Sequence, residues 1–157
     1  MAKEIERKFL VSNAAWRASA EAEIRIRQFY LAAGPARTVR IRISDGSSAM
    51  LTLKFSGEGR GRDEFEYPVP LAEAEEMEAF ALGRVIEKTR HHVRYRDYLY
   101  EVDVFEGRLA GLVVAELETP DIVPADRLPP WLGREVTQDG RYYNASLALG
   151  EVPELGA

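Results

Sequence analysis

Glu4-Ile5-Glu6-Arg7-Lys8-Phe9-Leu10-Val11 places two carboxylates and an ammonium at i, i+2 and i+4, the period of one face of a β-strand, with Ile5, Arg7 and Phe9 on the other face. One side of the segment is charged, and the other, extended by Leu10 and Val11, is largely apolar. Alone, it reads as an edge strand that shows its charges to water. Recurrence argues against that. Arg40 and Arg42 share one parity while Val39, Ile41 and Ile43 take the other, and Lys54 is set against Leu51, Leu53 and Phe55. Glu64 and Glu66 alternate with Phe65 and Tyr67, Lys88 and Arg90 lead a segment that ends in Val93 and Tyr95, Glu101 and Asp103 alternate with Tyr100, Val102 and Val104, and Glu116 and Glu118 alternate with Ala115 and Leu117. Solvated sheet faces mix Thr, Ser, Lys and Glu with little order, whereas each of these later segments sets charges of one sign on its face. Such faces read as a lining.

The chain of 157 residues suits a single domain over 1–157, long enough to bury roughly two-thirds of its unfolded surface. With no cysteine, disulfides and thiolate metal sites are excluded, a reducing cytoplasm fits, and any metal must be held by oxygen or by the two histidines. No stretch approaches the ~20 apolar residues of a membrane span, and no signal-peptide run is read at the N-terminus. A net charge of −5 argues against nucleic acid as a bulk partner, because binding a phosphate backbone needs a basic surface or stripe.

Eight strands are expected, at about 3–11, 24–31, 37–44, 49–56, 62–69, 85–95, 98–105 and 112–119. Ala33-Gly34-Pro35, Ser44-Asp45-Gly46-Ser47 and Gly57-Glu58-Gly59-Arg60-Gly61 are loops by composition, and Arg96-Asp97 leaves room for a two-residue hairpin. Short connections imply antiparallel neighbours. Asn13 reads as the N-cap of a helix through Ala14-Ala15-Trp16, Pro70 opens a helix over Leu71–Leu82 with Gly83 as its stop, and a short helix follows near Tyr142–Leu149. The fold class is α+β: an eight-stranded antiparallel β-barrel with a charged interior and helices packed outside, covering the apolar faces.

That interior would hold eight carboxylates (Glu4, Glu6, Glu64, Glu66, Glu101, Asp103, Glu116, Glu118) and six cations (Lys8, Arg40, Arg42, Lys54, Lys88, Arg90). Burying them costs several kcal/mol each unless they are paired or wet, so the ligand is itself expected to be highly charged. Paired arginines and lysines match phosphoryl oxygens, and carboxylate doublets suit a hard divalent cation such as Mg²⁺ or Mn²⁺. A metal–polyphosphate complex satisfies both. A P-loop is disfavoured, because no Gly-x-x-x-x-Gly-Lys occurs and the Gly57–Gly61 stretch reads as a hairpin loop.

These residues resemble the CYTH proteins, or triphosphate tunnel metalloenzymes. Glu4-x-Glu6-x-Lys8 is similar to that family's signature, and the likeness continues through Arg40-x-Arg42, Lys54, Glu64-x-Glu66, Lys88-x-Arg90, Asp103, Glu116-x-Glu118 and the stretch from Glu135 to Asn144. The resemblance implies an eight-stranded tunnel for a linear triphosphate, and divalent-metal-dependent hydrolysis of tripolyphosphate to pyrophosphate and phosphate. It implies Glu4, Glu6, Glu116 and Glu118 as metal ligands, with Glu64, Glu66 and Asp103 as further acids. Lys8, Arg40, Arg42, Lys54, Lys88 and Arg90 would bind substrate, and Glu116 and Lys8 would be catalytic, Glu116 positioning or deprotonating the attacking water. The family also includes thiamine and RNA triphosphatases and class IV adenylate cyclases, so a nucleotide-handling enzyme and a non-catalytic polyphosphate-binding module stand as alternatives. The expected partner is a small-molecule triphosphate, without nucleic acid or membrane, and a homodimer is compatible.

Other features carry less. His91 and His92 are adjacent on a strand and point to opposite faces, so they cannot readily share a metal. Trp16 and Trp131 read as packing residues, and Ser12 and Ser146 lack a nucleophile-elbow context. Arg94 continues the charged row of its strand, and Arg96 begins a turn.

Overall fold

The structure, a computed structural model, describes residues 5–57 and 61–155. It is mostly antiparallel sheet with few helices: β1 (Ile5–Val11), β2 (Ala20–Ala33), β3 (Arg37–Ser44), β4 (Ser48–Gly57), β5 (Gly61–Val69), α1 (Leu71–Met77), β6 (Leu82–Tyr95), β7 (Tyr98–Phe105), β8 (Val113–Thr119), β9 (Leu132–Glu135) and α2 (Asn144–Leu149). The chain divides into two compact units. The first comprises Lys88–Tyr142 with the described residues up to Ile24 and from Val152 on, and the second comprises Arg25–Glu87 with Tyr143–Glu151.

In the first unit β7 pairs with β6 and β8, and β8 pairs with β1, all antiparallel. Val93, Tyr100 and Leu117 are aligned across β6, β7 and β8, as are His91, Val102 and Ala115. The apolar side chains of these rows form a buried cluster with Trp16, Val123 and Trp131. The expectation that helices cover the apolar face is corrected here. The cover is a 3-10 turn (Ala15–Ser19) carrying Trp16, together with the proline-rich passage carrying Val123, Leu128 and Trp131. Both tryptophans are buried, as packing residues should be. Asn13 accepts a hydrogen bond from the Ala15 N–H at 2.9 Å, but the segment it starts is 3-10, not α.

Among the described residues a ninth strand adds to the eight expected. β9 pairs with the outer side of β1, the Val136 N–H donating to the Lys8 carbonyl at 2.8 Å and the Ser12 N–H to the Trp131 carbonyl at 2.9 Å. Four residues, Leu-Gly-Arg-Glu, are too few to show an alternation. Arg7 anchors the pair from the apolar parity of β1, its Nε and Nη2 donating to Glu135 at 3.0 and 2.8 Å and its Nη1 to the Val123 carbonyl at 3.0 Å.

In the second unit β2, β3, β4 and β5 form a meander, with Phe29 opposite Ile41 and Ile41 opposite Leu51. Its core is Phe29, Ile41, Ile43 and Ala49 under Ala74 of α1, with Leu71 and Met77 packed alongside, so α1 does cover an apolar sheet face. Pro70 precedes α1 as expected. The helix stops short of the expected Leu82, however: a 3-10 turn (Glu78–Phe80) follows, and Leu82 already belongs to β6. Glu75, Glu76 and Glu78 crowd the C-terminal end, where the helix dipole disfavours anions. Gly83 is therefore not the helix stop. It has φ +63°, and a Cβ there would run into the Ala148 carbonyl oxygen and Leu149.

The expected turns are present. Asp45 and Gly46 have φ of 53° and 63°, both positive, matching a type I′ turn closed by the Ser47 N–H on the Ser44 carbonyl at 3.0 Å. Arg96, at φ 54°, turns the chain between the paired Tyr95 and Tyr98. Residues 58–60 of the expected Gly57–Gly61 loop lie outside the described residues.

Candidate active site

The charged parity holds in both ladders. In the first unit the Cα register aligns His92, Glu101, Glu116 and Lys8 across β6, β7, β8 and β1. Arg90 stands opposite Asp103, and Glu118 opposite Glu6. Asp103 is the centre of a buried ion cluster. Its Oδ2 lies 2.8 Å from Lys88 Nζ, and Arg90 grips the carboxylate with two bonds, Nε to Oδ1 at 2.8 Å and Nη2 to Oδ2 at 3.0 Å. Glu101 meets Arg90 Nη1 at 3.4 Å and His92 Nε2 at 3.6 Å. Lys8 Nζ lies 3.3 Å from Glu116 and donates to the Tyr142 carbonyl at 3.1 Å.

These geometries set the charge states. Burial alone would push the Asp103 carboxyl up, but Lys88 and Arg90 reverse it and hold the group well below the usual carboxylate range. Burial likewise works against the Arg90 guanidinium, and Asp103, Glu101 and Glu116 outweigh it, so the cation is held more firmly than usual. His91 is lowered by burial and then by Arg17, and it packs against Trp16 with ring centroids 4.9 Å apart.

In the second unit Arg40 stands opposite Tyr30 and Thr52, Arg42 opposite Gln28, and Lys54 opposite Glu64. Arg40 Nη2 donates to Thr52 Oγ1 at 3.3 Å and Arg42 Nε to Gln28 Oε1 at 3.2 Å.

Burial separates the two signs. Lys8, Arg40, Lys88 and Arg90 are buried, whereas among the described carboxylates of the charged faces Asp103 alone is buried; Glu101 and Glu116 are half-buried, and Glu6, Glu64, Glu66 and Glu118 are exposed. The acids expected to line the interior therefore differ in depth. The exposed acids lie toward one end of β1 and β8 or on the last strand of a ladder, where water solvates them, and the buried acid has two cations in contact. Glu4 lies outside the described residues. The sequence reading passed over Gln28, Thr52 and the Tyr142 carbonyl. Gln28 and Tyr30 share a parity, and facing Arg40-x-Arg42 across a ladder is the signal that could have found Gln28.

The family model of the CYTH domain matches residues 2–148. The chain belongs to the CYTH family. Among CYTH relatives, the inorganic triphosphatase of Acetivibrio thermocellus is 40% identical over 148 residues, 94% of each chain. The inorganic triphosphatase of Nitrosomonas europaea is 39% identical over 153 residues, 93% of this chain and 97% of the relative. The crystal structure of the inorganic triphosphatase NE1496 has 34% sequence identity and a TM-score of 0.72, covering 98% of this chain and 99% of that one. The antiparallel architecture matches the CYTH tunnel fold.

CYTH triphosphatases depend on metal in general. Among the described residues no group of three or more His, Cys, Asp or Glu side chains could hold a metal ion. The nearest fit in the ladder is Glu6 opposite Glu118. Like charges directly opposed on neighbouring strands are destabilising, so a cation favours that pair, and an all-oxygen donor set suits a hard divalent ion.

Proposed function

We propose that this chain is a divalent-metal-dependent hydrolase that cleaves inorganic triphosphate to pyrophosphate and phosphate. The observation that carries the reading is the asymmetry of burial: Lys8, Lys88 and Arg90 are held under cover on one charged face with Asp103 as the buried acid, and the second unit buries Arg40 beside Thr52. A site with buried cations in excess calls for a polyanion. The two inorganic triphosphatases at 39–40% identity supply the substrate class.

In this reading Lys8, Lys88 and Arg90, and in the second unit Arg40, Arg42 and Lys54, take phosphoryl oxygens and neutralise charge on the transferred group, where positioning and electrostatics supply most of the catalysis. Glu116, fixed by Lys8 at 3.3 Å, orients the attacking water and accepts its proton. The water oxygen bonds to the terminal phosphorus, the bond from that phosphorus to its bridging oxygen breaks, and pyrophosphate leaves with the bridging oxygen. Glu4, Glu6 and Glu118 would hold Mg²⁺ or Mn²⁺, which supplies charge neutralisation on the phosphoryl oxygens when bound. The absence of cysteine supports a cytoplasmic setting, and the acidic net charge supports a small-molecule substrate over nucleic acid.

The test measures phosphate, pyrophosphate and cyclic AMP released from tripolyphosphate, ATP and thiamine triphosphate, with Mg²⁺ or Mn²⁺ and with excess chelator. Tripolyphosphate is expected to be cleaved much faster than ATP, and chelator to abolish the reaction. Cyclic AMP as the main product from ATP, or undiminished turnover in chelator, would sink the reading.

A further inference from the structure

Gln28 is wholly buried on β2, on the side of the sheet that carries Arg40 and Arg42 of β3, and only half of its amide is used. Its Oε1 accepts from Arg42 Nε at 3.2 Å, while its buried Nε2 has no hydrogen-bond partner among the described residues. The amide cannot be turned round to improve this, because Arg42 Nε is a donor and requires the oxygen where it is. A buried donor left unsatisfied carries its full desolvation penalty, so an apolar side chain of similar shape would serve the fold as well or better. The use of Gln28 therefore lies in its other half. Engaging Nε fixes the plane of a guanidinium, whose remaining nitrogens form a rigid fork matched to phosphoryl oxygens. Register adds to this, since Gln28 stands directly opposite Arg42, and Tyr30 opposite Arg40.

From this geometry we infer that Gln28 is a positioning residue for triphosphate: it sets the plane of Arg42 and acts on the substrate only through that arginine. The inference rests on the triphosphatase reading. Replacing Gln28 by Met keeps most of the volume, removes the acceptor and abolishes the orphan donor. Its expected signature is a KM for tripolyphosphate raised by about tenfold or more, since loss of alignment at a bidentate site is costly, with kcat changed far less. Melting temperature is expected to hold or rise. Gln28→Leu repeats the comparison with a branched chain should Met pack badly.

The deciding measurement is the double-mutant cycle with Arg42→Ala. If Gln28 acts through Arg42, the Gln28→Met, Arg42→Ala double variant has the KM of Arg42→Ala alone. Additive rises in KM, or a Gln28→Met enzyme with wild-type KM and a lowered melting temperature, would overturn the inference and leave Gln28 as packing. Those results arise only with a wild-type enzyme that cleaves tripolyphosphate. A wild type that does not cleave it refutes the functional reading itself, and this inference with it.

Discussion

Asp103→Asn removes one charge from a cluster whose cations are largely shielded from water: Lys88 is 2% and Arg90 8% exposed, both in contact with the carboxylate. Deleting one partner of a buried ion pair costs about 3–5 kcal/mol, because the other charge stays buried and uncompensated. Two cations lose a partner here, but Glu101 remains 3.4 Å from Arg90, which keeps the expected loss within that range. For a domain of this size each kcal/mol moves the melting temperature by ~2–4 °C, so a fall of about 6–20 °C is expected at neutral pH without ligand. Tripolyphosphate supplies the missing negative charge and should raise the melting temperature of the variant more than that of wild type. The gap between the two proteins also depends on pH. Because the folded-state pKa of Asp103 is lowered, its contribution is complete above the ordinary carboxylate value and is lost as pH falls below about 4, so the gap closes in acid. Glu64→Gln is the control: that carboxylate is exposed opposite Lys54 and should change stability by less than about 1 kcal/mol. Thermal and urea unfolding decide the matter. An Asp103→Asn protein as stable as wild type without ligand, or a Glu64→Gln loss of equal size, would refute the clamp.

Strand parity gives another test within β3. Ile41 is fully buried in the core under α1, so Ile41→Ala should cost about 2–5 kcal/mol, whereas Arg42→Ala should weaken tripolyphosphate binding with little change in urea midpoint; exchanged phenotypes would mean that the register is wrong. His91 predicts an acid-side effect. Burial, then Arg17, lowers its pKa against the opposing pull of Glu23 and Asp103, so the unfolded chain takes up a proton first and stability should fall as pH drops below the ordinary value of 6.5. In His91→Gln that slope should flatten, and unchanged melting curves between pH 7 and 5 in both proteins would count against it.

The strands and their faces were legible because a period of two survives every tertiary detail: Glu6, Lys8, Glu116 and Glu118 were placed on one side by alternation alone, and the structure aligns them in facing pairs. The turn at Arg96-Asp97 was legible from its length. What stayed hidden depends on contacts that side-chain patterns do not encode. A main-chain carbonyl, such as that of Tyr142 on Lys8, looks the same in every residue. β9 is recruited by β1 and is too short to show a period. Alternation gives the side of the sheet but not the depth, so Asp103 and Glu118 looked alike, although one is gripped by two cations and the other is exposed.

The pairing of β1 with β8 and β9 has a consequence for how the chain is made. Arg7 and Glu135 are 128 residues apart, and Lys8 and the Tyr142 carbonyl 134. At ~5–20 residues per second, a ribosome takes on the order of 6–25 s to deliver Glu135 after Arg7, whereas hairpins such as β3–β4 close in ~1–10 μs. The meander of the second unit can therefore form while the first strand is still waiting for its neighbours. Until β8 is made, Phe9, Leu10 and Val11 belong to a strand with both edges open and no apolar cover, the state most prone to pairing with another chain. Premature termination before β8 would make that interval permanent, so truncated products should aggregate through the segment that in the finished protein aligns Lys8.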